Sequence, residues 1–303
     1  AAAVDQVVRH TEGWPAGVYL AVLALRAHHD PVGLLDGIRG DHRLLAEYFR
    51  DELLRRLPDE LRRFLLRTSI LERACGPLCD AVTASTGSGT VLEELASSRN
   101  LFIVPRDHDR TWYRYHHLFG ELLLSELRLT EPDLEPELRR RAAAWCAAND
   151  EPGTAIEQAL AVPDLDLAAS LTAEQVFECA TTGRHATLER WLDAFPPAEV
   201  HRRGPLLLAE GWRHLAAGRR QDLRAVLELA DGMSLDGPLP DGTATFAVAR
   251  AMLWSVSGTG GVERLVDSSA EVVAAGPHGS PWWSFGCLLN AVAPWPIGGP
   301  DPV

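Results

Sequence analysis

Apolar residues recur at helical spacing along most of this chain, in runs too short for a single long rod. Leu44, Leu45, Tyr48, Phe49, Leu53 and Leu57 fall on one stripe, with Arg43, Glu47, Arg50, Asp51 and Arg55 opposite. That is the pattern of an amphipathic helix with one face in a core. Gly and Pro supply the punctuation. Pro58 suits the first turn of the following helix, where its missing N–H is harmless, and that helix carries Leu61, Phe64, Leu65 and Thr68 inward. Gly76-Pro77 opens another, and the small residues Thr83 to Gly89 form a loop. Ser88 or Thr90 then caps the helix holding Val91, Leu92 and Leu95. Further along, the spacing predicts helices over 137–149, 152–162, 164–180, 184–195, 205–217 and 220–231, stopped at Asn149 to Gly153, Gly183, Pro196-Pro197 and Gly218. The fold class is mainly α.

One segment breaks the period. Leu101 to Pro105 and Thr111 to Tyr115 are short and rich in β-formers, and the polar stretch Arg106 to Arg110 between them is turn material. Helices, then a hairpin wing, then the amphipathic helix of Leu118, Phe119, Leu122, Leu123 and Leu127 make a winged-helix arrangement at about 42–130. Thr130 to Pro136, with two prolines and three acids, reads as a hinge or linker. Beyond it, Trp145, Trp191, Trp212 and Trp254 recur at intervals that suit stacked helical hairpins of about 40 residues. The pattern weakens after the Gly/Pro/Asp loop at 231–243. The apolar, proline-rich end at 276–303 suggests that further repeats would follow.

Charge and composition exclude several functions. The formal net charge is −13, and all 29 basic residues are Arg. A negative field disfavours direct contact with a phosphate backbone, and the absence of lysine removes a P-loop lysine or a Schiff-base lysine. The Arg clusters, Arg139-Arg140-Arg141 among them, sit beside acids at helical spacing and read as solvated faces. Five scattered cysteines make no disulfide framework. Cys75 and Cys79 lack a second ligand pair for zinc and read as small buried residues. No signal peptide, membrane span or hydrolase constellation is visible, so the expected setting is the cytoplasm and the expected chain is no enzyme.

Two segments are candidates for a site. In Thr11 to Ala21, Pro15 fixes a bend while Gly13 and Gly17 allow close approach to the backbone; the alternative is a helix start packed on its neighbour. In Trp112 to Phe119, the return strand delivers His116 and His117 to a helix N-terminus, where a donor beside backbone N–H groups suits an anion such as phosphate. The alternative there is one surface and one core histidine.

In order, TEGWPAGVYLAVLALR, FRDELLRRLPDELRRFLLRTSIL, LFIVPRDHDRTWYRYHHLFGELLLSEL, LRRRAAAWCAANDEPGTAIEQAL and GRHATLERWLDAFPPAEVHRRGPLLLAEGWRHLAAGR resemble the MalT-type, LuxR-family large ATP-binding transcriptional regulators of the STAND NTPase class, over roughly residues 5–230. The resemblance implies a small helical domain at 1–41 with Gly13-Trp14-Pro15 at its GxP motif, a winged-helix domain at 42–130, and a tetratricopeptide-like repeat region at 131–303 that senses an inducer or regulatory protein. It implies that Pro15 packs near the adenine of ATP or ADP and that His116, or His117 if the register slips by one, meets the β-phosphate of ADP. The family's P-loop core and C-terminal helix-turn-helix match nothing in this sequence. The expectation is therefore a segment that regulates, with an NTPase core of the same polypeptide as partner, an oligomer possible on activation, and no hydrolysis or DNA contact of its own. The rival expectation is a stand-alone helical scaffold for protein–protein interaction with no nucleotide role.

Overall fold

The computed structural model describes residues 18, 50, 54–97, 103–162, 165–276 and 281–292. Within them the chain is mainly α, with a two-stranded antiparallel sheet, and no described helix is long and apolar enough to cross a membrane. The stripe that begins at Leu44 lies mostly outside the described residues; its last turn, Leu54–Arg56, is a 3-10 helix with Leu54 buried. Two compact units divide between Val162 and Pro163.

In the first unit, Pro58 stands just before α1 (Asp59–Thr68), which buries Leu65, Leu66 and Thr68. Leu61 and Phe64 are only half-buried, so the inward stripe is rotated toward Leu66 from the one expected. Helix α2 (Gly76–Thr83) buries Leu78, Cys79 and Val82. The next helix, α3 (Ser88–Ser97), has Ser88 and Thr90 within its first turn, where the expectation had one of them as the cap. Asp80 reaches over from α2 instead, its Oδ1 accepting the Ser88 N–H at 2.9 Å, which satisfies one of the donors that every helix start leaves over.

The hairpin is where the β-forming residues placed it. Strand β1 (Ile103–Pro105) pairs antiparallel with β2 (Tyr113–Tyr115), Ile103 opposite Tyr115. Asp107 shapes the turn: its carboxylate accepts the backbone N–H groups of Thr111 and Trp112 and the Thr111 hydroxyl. Ala74 adds an isolated bridge on the far side of β2, exchanging two 2.8 Å backbone bonds with Tyr113. Helix α4 (His117–Thr130) then buries the five apolar residues that its spacing marked, and Arg50 forks onto Glu126 of this helix at 3.1 and 2.7 Å.

Alternation along β2 turns Tyr113 and Tyr115 inward and Arg114 outward. Tyr115 carries its hydroxyl into the core, where it shares a 2.6 Å hydrogen bond with Thr68 at the end of α1, and the Thr68 hydroxyl lies 2.7 Å from the Phe64 carbonyl, to which it donates.

Only residues 131–134 separate α4 from α5 (Glu135–Ala148). The expected hinge is a tight turn, tied by Arg67 to Glu131 at 3.1 Å and by Arg128 to Glu135 at 2.7 Å. Helix α5 pairs with α6 (Pro152–Leu160) and packs on α2, and Arg141 of α5 donates to the Val82 carbonyl at 3.3 Å.

The second unit is all helical: α7 (Leu165–Glu174), α8 (Val176–Thr181), α9 (His185–Asp193), α10 (Pro197–Arg202), α11 (Gly204–Ala216), α12 (Arg220–Asp231), α13 (Phe246–Ser257), α14 (Gly261–Ala275) and α15 (Pro281–Val292). The helix expected at 164–180 is two, parted at Gln175, whose N–H turns back to the Thr172 carbonyl at 3.1 Å. Leu207, Leu208, Leu223, Leu227, Phe246 and Leu253 form the core between α11, α12 and α13. Helical pairing continues past residue 243; the apolar period is weak there since α14 turns Ser268 and Ser269 inward beside Val272. Asp231, at the end of α12, joins three helices by accepting from Trp254 Nε1 at 3.3 Å and Arg264 at 3.0 Å and pairing with Arg250 at 3.3 Å.

Two stability effects follow from these contacts. Tyr115→Phe removes one partner of a buried hydroxyl pair and is expected to destabilise the first unit by about 0.5–1.5 kcal/mol, read as a lower urea midpoint with unchanged slope. His214 of α11 is buried, and that burial holds its pKa below the usual value although Glu210 lies 3.6 Å away. A histidine whose folded pKa is depressed stabilises the fold above its unfolded pKa of about 6.5 and loses that contribution as pH falls toward the folded value. The denaturation midpoint of the second unit is therefore expected to drop on going from pH 7.5 to below 6.5, by less in His214→Gln.

Candidate functional site

His116 follows the inward Tyr115 directly, and its backbone (φ −55°, ψ 134°) turns the strand into α4; its carbonyl accepts the Gly120 N–H at 2.9 Å, the first helical bond. The two adjacent histidines diverge, as neighbours at the start of a helix must. His116 is 5 % exposed and walls a cleft. His117 stands at the rim with an outward imidazole, its Nδ1 3.6 Å from Glu121. Gly13, Trp14 and Pro15 lie outside the described residues, so the expected meeting of the two candidate segments lies there too.

The cleft has a volume of about 900 Å³, within the range of small-ligand pockets. Its walls are the Ser69 to Arg73 segment that leaves α1, the hairpin at Arg106 and Arg114, the first turn of α4, and the α5–α6 pair at Arg139, Thr154 and Gln158. Arg73, Arg106, Arg114 and Arg139 line it against Glu72, Glu121 and Glu157. Guanidinium forks of this kind suit carboxylate and phosphate oxygens.

Two of those arginines are held firmly. Arg73 pairs with Glu151 at 2.7 Å and lies over the Trp112 ring at 4.7 Å, a cation–π contact that fixes its plane. Arg139 is 9 % exposed, so this member of the Arg139-Arg140-Arg141 run is not the solvated residue its neighbours suggested. It donates to Glu135 at 2.8 Å and to Gln158 Oε1 at 2.9 Å, and Gln158 passes the contact on by donating to the Ile70 carbonyl at 3.1 Å. Arg128 and Arg139 together hold the Glu135 carboxyl below the usual range. The signal was present in the sequence: position 139 shares a helical stripe with Leu138, Ala142 and Cys146, all buried.

Covalent chemistry has little to work with here. Cys75, Cys79, Cys146 and Cys179 are buried, and burial raises their thiol pKa values, that of Cys146 to about 11, which leaves them protonated and poorly nucleophilic near neutrality. Among the described residues no group of three or more His, Cys, Asp or Glu is placed to hold a metal ion. The arrangement has the chemistry that suits an anionic ligand, with a helix start, fixed guanidinium groups and a buried histidine around one space.

Residues 42–135 match the family described as the MalT winged helix domain. The serine/threonine-protein kinase PknK of Mycobacterium tuberculosis is 32% identical over 240 residues, 79% of this chain and 22% of that protein. The HTH-type transcriptional regulator MalT of Vibrio cholerae is 30% identical over 226 residues, 73% of this chain and 25% of the regulator. MalT of Cronobacter sakazakii is 27% identical over 233 residues, 76% of this chain and 25% of the regulator. The chain thus spans about a quarter or less of the length of these relatives. Hairpin, following helix and family match fall on the same residues, and over that segment the chain is MalT-like, with a winged helix.

Proposed function

We propose that this chain is the regulatory region of a MalT-like, nucleotide-gated transcription regulator of the STAND class. In this reading the winged helix closes over ADP in the resting state, and the tetratricopeptide-like helices beyond it receive an inducer or a regulatory protein. The observation that carries the reading is the position of His116: at the strand-to-helix junction of the matched domain, buried, and in the wall of an arginine-lined cleft. The start of α4, a 14-residue helix, adds backbone N–H groups without intrahelical acceptors and the positive end of a helix dipole, both suited to a diphosphate.

ADP would be held from this side by His116 and the cleft arginines, with Pro15 near the adenine. The rest of the site, including the phosphate cradle and the Mg²⁺ ligands, would come from an NTPase core of the same polypeptide. This region itself neither hydrolyses ATP nor reads DNA in the proposal, and the setting is the cytoplasm. Gating is then a two-state equilibrium, biased by whichever ligand prefers one state. One of the relatives is named a kinase and another a transcriptional regulator, which fits a shared region that receives signals for different outputs.

The test is ADP affinity of the whole gene product, purified with and without His116→Ala. Loss of one hydrogen bond to a charged group, worth about 1.5–3 kcal/mol, predicts at least tenfold weaker ADP binding and less co-purifying nucleotide. A folded variant with unchanged ADP affinity overturns the assignment. If no ADP binds to the wild-type gene product either, the helical scaffold for protein partners remains.

A further inference from the structure

The polar bridge from α5–α6 to the cleft wall is unusual in its burial. Gln158 is 5 % exposed and Arg139 9 % exposed, and both line the same cleft as His116. The bridge spans long separations in sequence: Arg139 to Gln158, and Gln158 to the carbonyl of Ile70, 88 residues earlier. Apolar side chains at these two positions would extend the buried stripes of Leu138, Ala142 and Cys146 on α5 and of Ala155, Ile156 and Ala159 on α6 without the cost of desolvating a guanidinium. What they would not supply is direction. A hydrogen bond to one backbone carbonyl fixes where that backbone lies, whereas apolar contact tolerates sliding.

Ile70 belongs to the segment Ser69 to Arg73, which forms the wall around His116, while Thr154 and Glu157 place α6 itself in the lining. Tyr115, which precedes His116, is bonded to Thr68, which precedes Ser69. The segment is thus held at one side by the winged-helix core and at the other by α6. Displacement of α6 would draw on the Ile70 carbonyl and reshape the cleft.

We propose that Gln158 is a positioning residue through which the α5–α6 helical pair sets the shape of the cleft, and so couples movement of that pair to retention of a nucleoside diphosphate. The proposal rests on the reading that His116 meets the diphosphate, and deepens it by naming how the site is regulated.

The experiment measures ADP affinity of the whole gene product in four variants, well below the unfolding midpoint of each. Gln158→Leu removes both bonds. Gln158→Glu keeps an acceptor for Arg139 but has no amide donor for Ile70, and it covers the case in which the leucine variant fails to fold. Arg141→Met removes another side-chain bond from α5 to the winged helix, to the Val82 carbonyl, away from the cleft. His116→Ala is the reference. The expected result is three- to tenfold weaker ADP binding in both Gln158 variants and native affinity in Arg141→Met. Weakening by His116→Ala with native affinity in the Gln158 variants overturns the positioning role and leaves the ADP reading intact. Equal weakening by Arg141→Met overturns it as well, since general loosening would then account for the effect. No effect of His116→Ala removes the reading beneath it.

Discussion

The hydroxyl of Tyr115 organises the first unit. A tyrosine at an inward position of a three-residue strand brings a polar atom into the core, and that atom is tolerable only with a partner. Thr68 supplies one at 2.6 Å from the last turn of α1. The bond joins two parts of the chain 47 residues apart, and both lead straight to the cleft, one into Ser69 to Arg73 and the other into His116. It reinforces the register that the β1–β2 ladder and the Ala74 bridge set, and register matters because a slip in a strand exchanges its faces. The location of the candidate site is therefore a consequence of core packing in the winged helix.

Much of this was legible in the amino-acid order. The hairpin stood out because Ile103, Val104, Tyr113 and Tyr115 are β-formers in a helical context, and five apolar positions of α4 came directly from spacing. Other features escaped for physical reasons. The bridge at Ala74 carries no β-forming side chain; only backbone geometry beside Tyr113 creates it. The cap of α3 comes from Asp80, in the preceding helix, so no local cap motif could reveal it. Helix α10 starts at Pro197, in the proline pair read only as a stop, and the break at Gln175 carries no Gly or Pro. Serines in the inward face of α14 hid its period.

The candidate site was legible in part. Adjacent histidines at a strand-to-helix junction marked the place, and their divergence followed from helical geometry. The cleft did not show, because it is assembled from segments as far apart as Ser69 and Ala161. Arg139 was obscured by its neighbours: three arginines in a row suggest a wet surface, yet only Arg140 is exposed, Arg141 is half-buried and Arg139 is buried. The rotation of a helix by 100° per residue is enough to give three identical side chains three environments.

Glu135 receives both Arg128 and Arg139 and thereby closes the turn between the winged helix and α5. Because the sequence holds no lysine, these junctions contain no side-chain amine that an acyl group or ubiquitin could cap. The charges that tie the winged helix to the neighbouring helices are consequently beyond the reach of lysine-directed enzymes. A switch that loosens them would act by mechanical displacement, by competition for the carboxylates or on the guanidinium groups themselves.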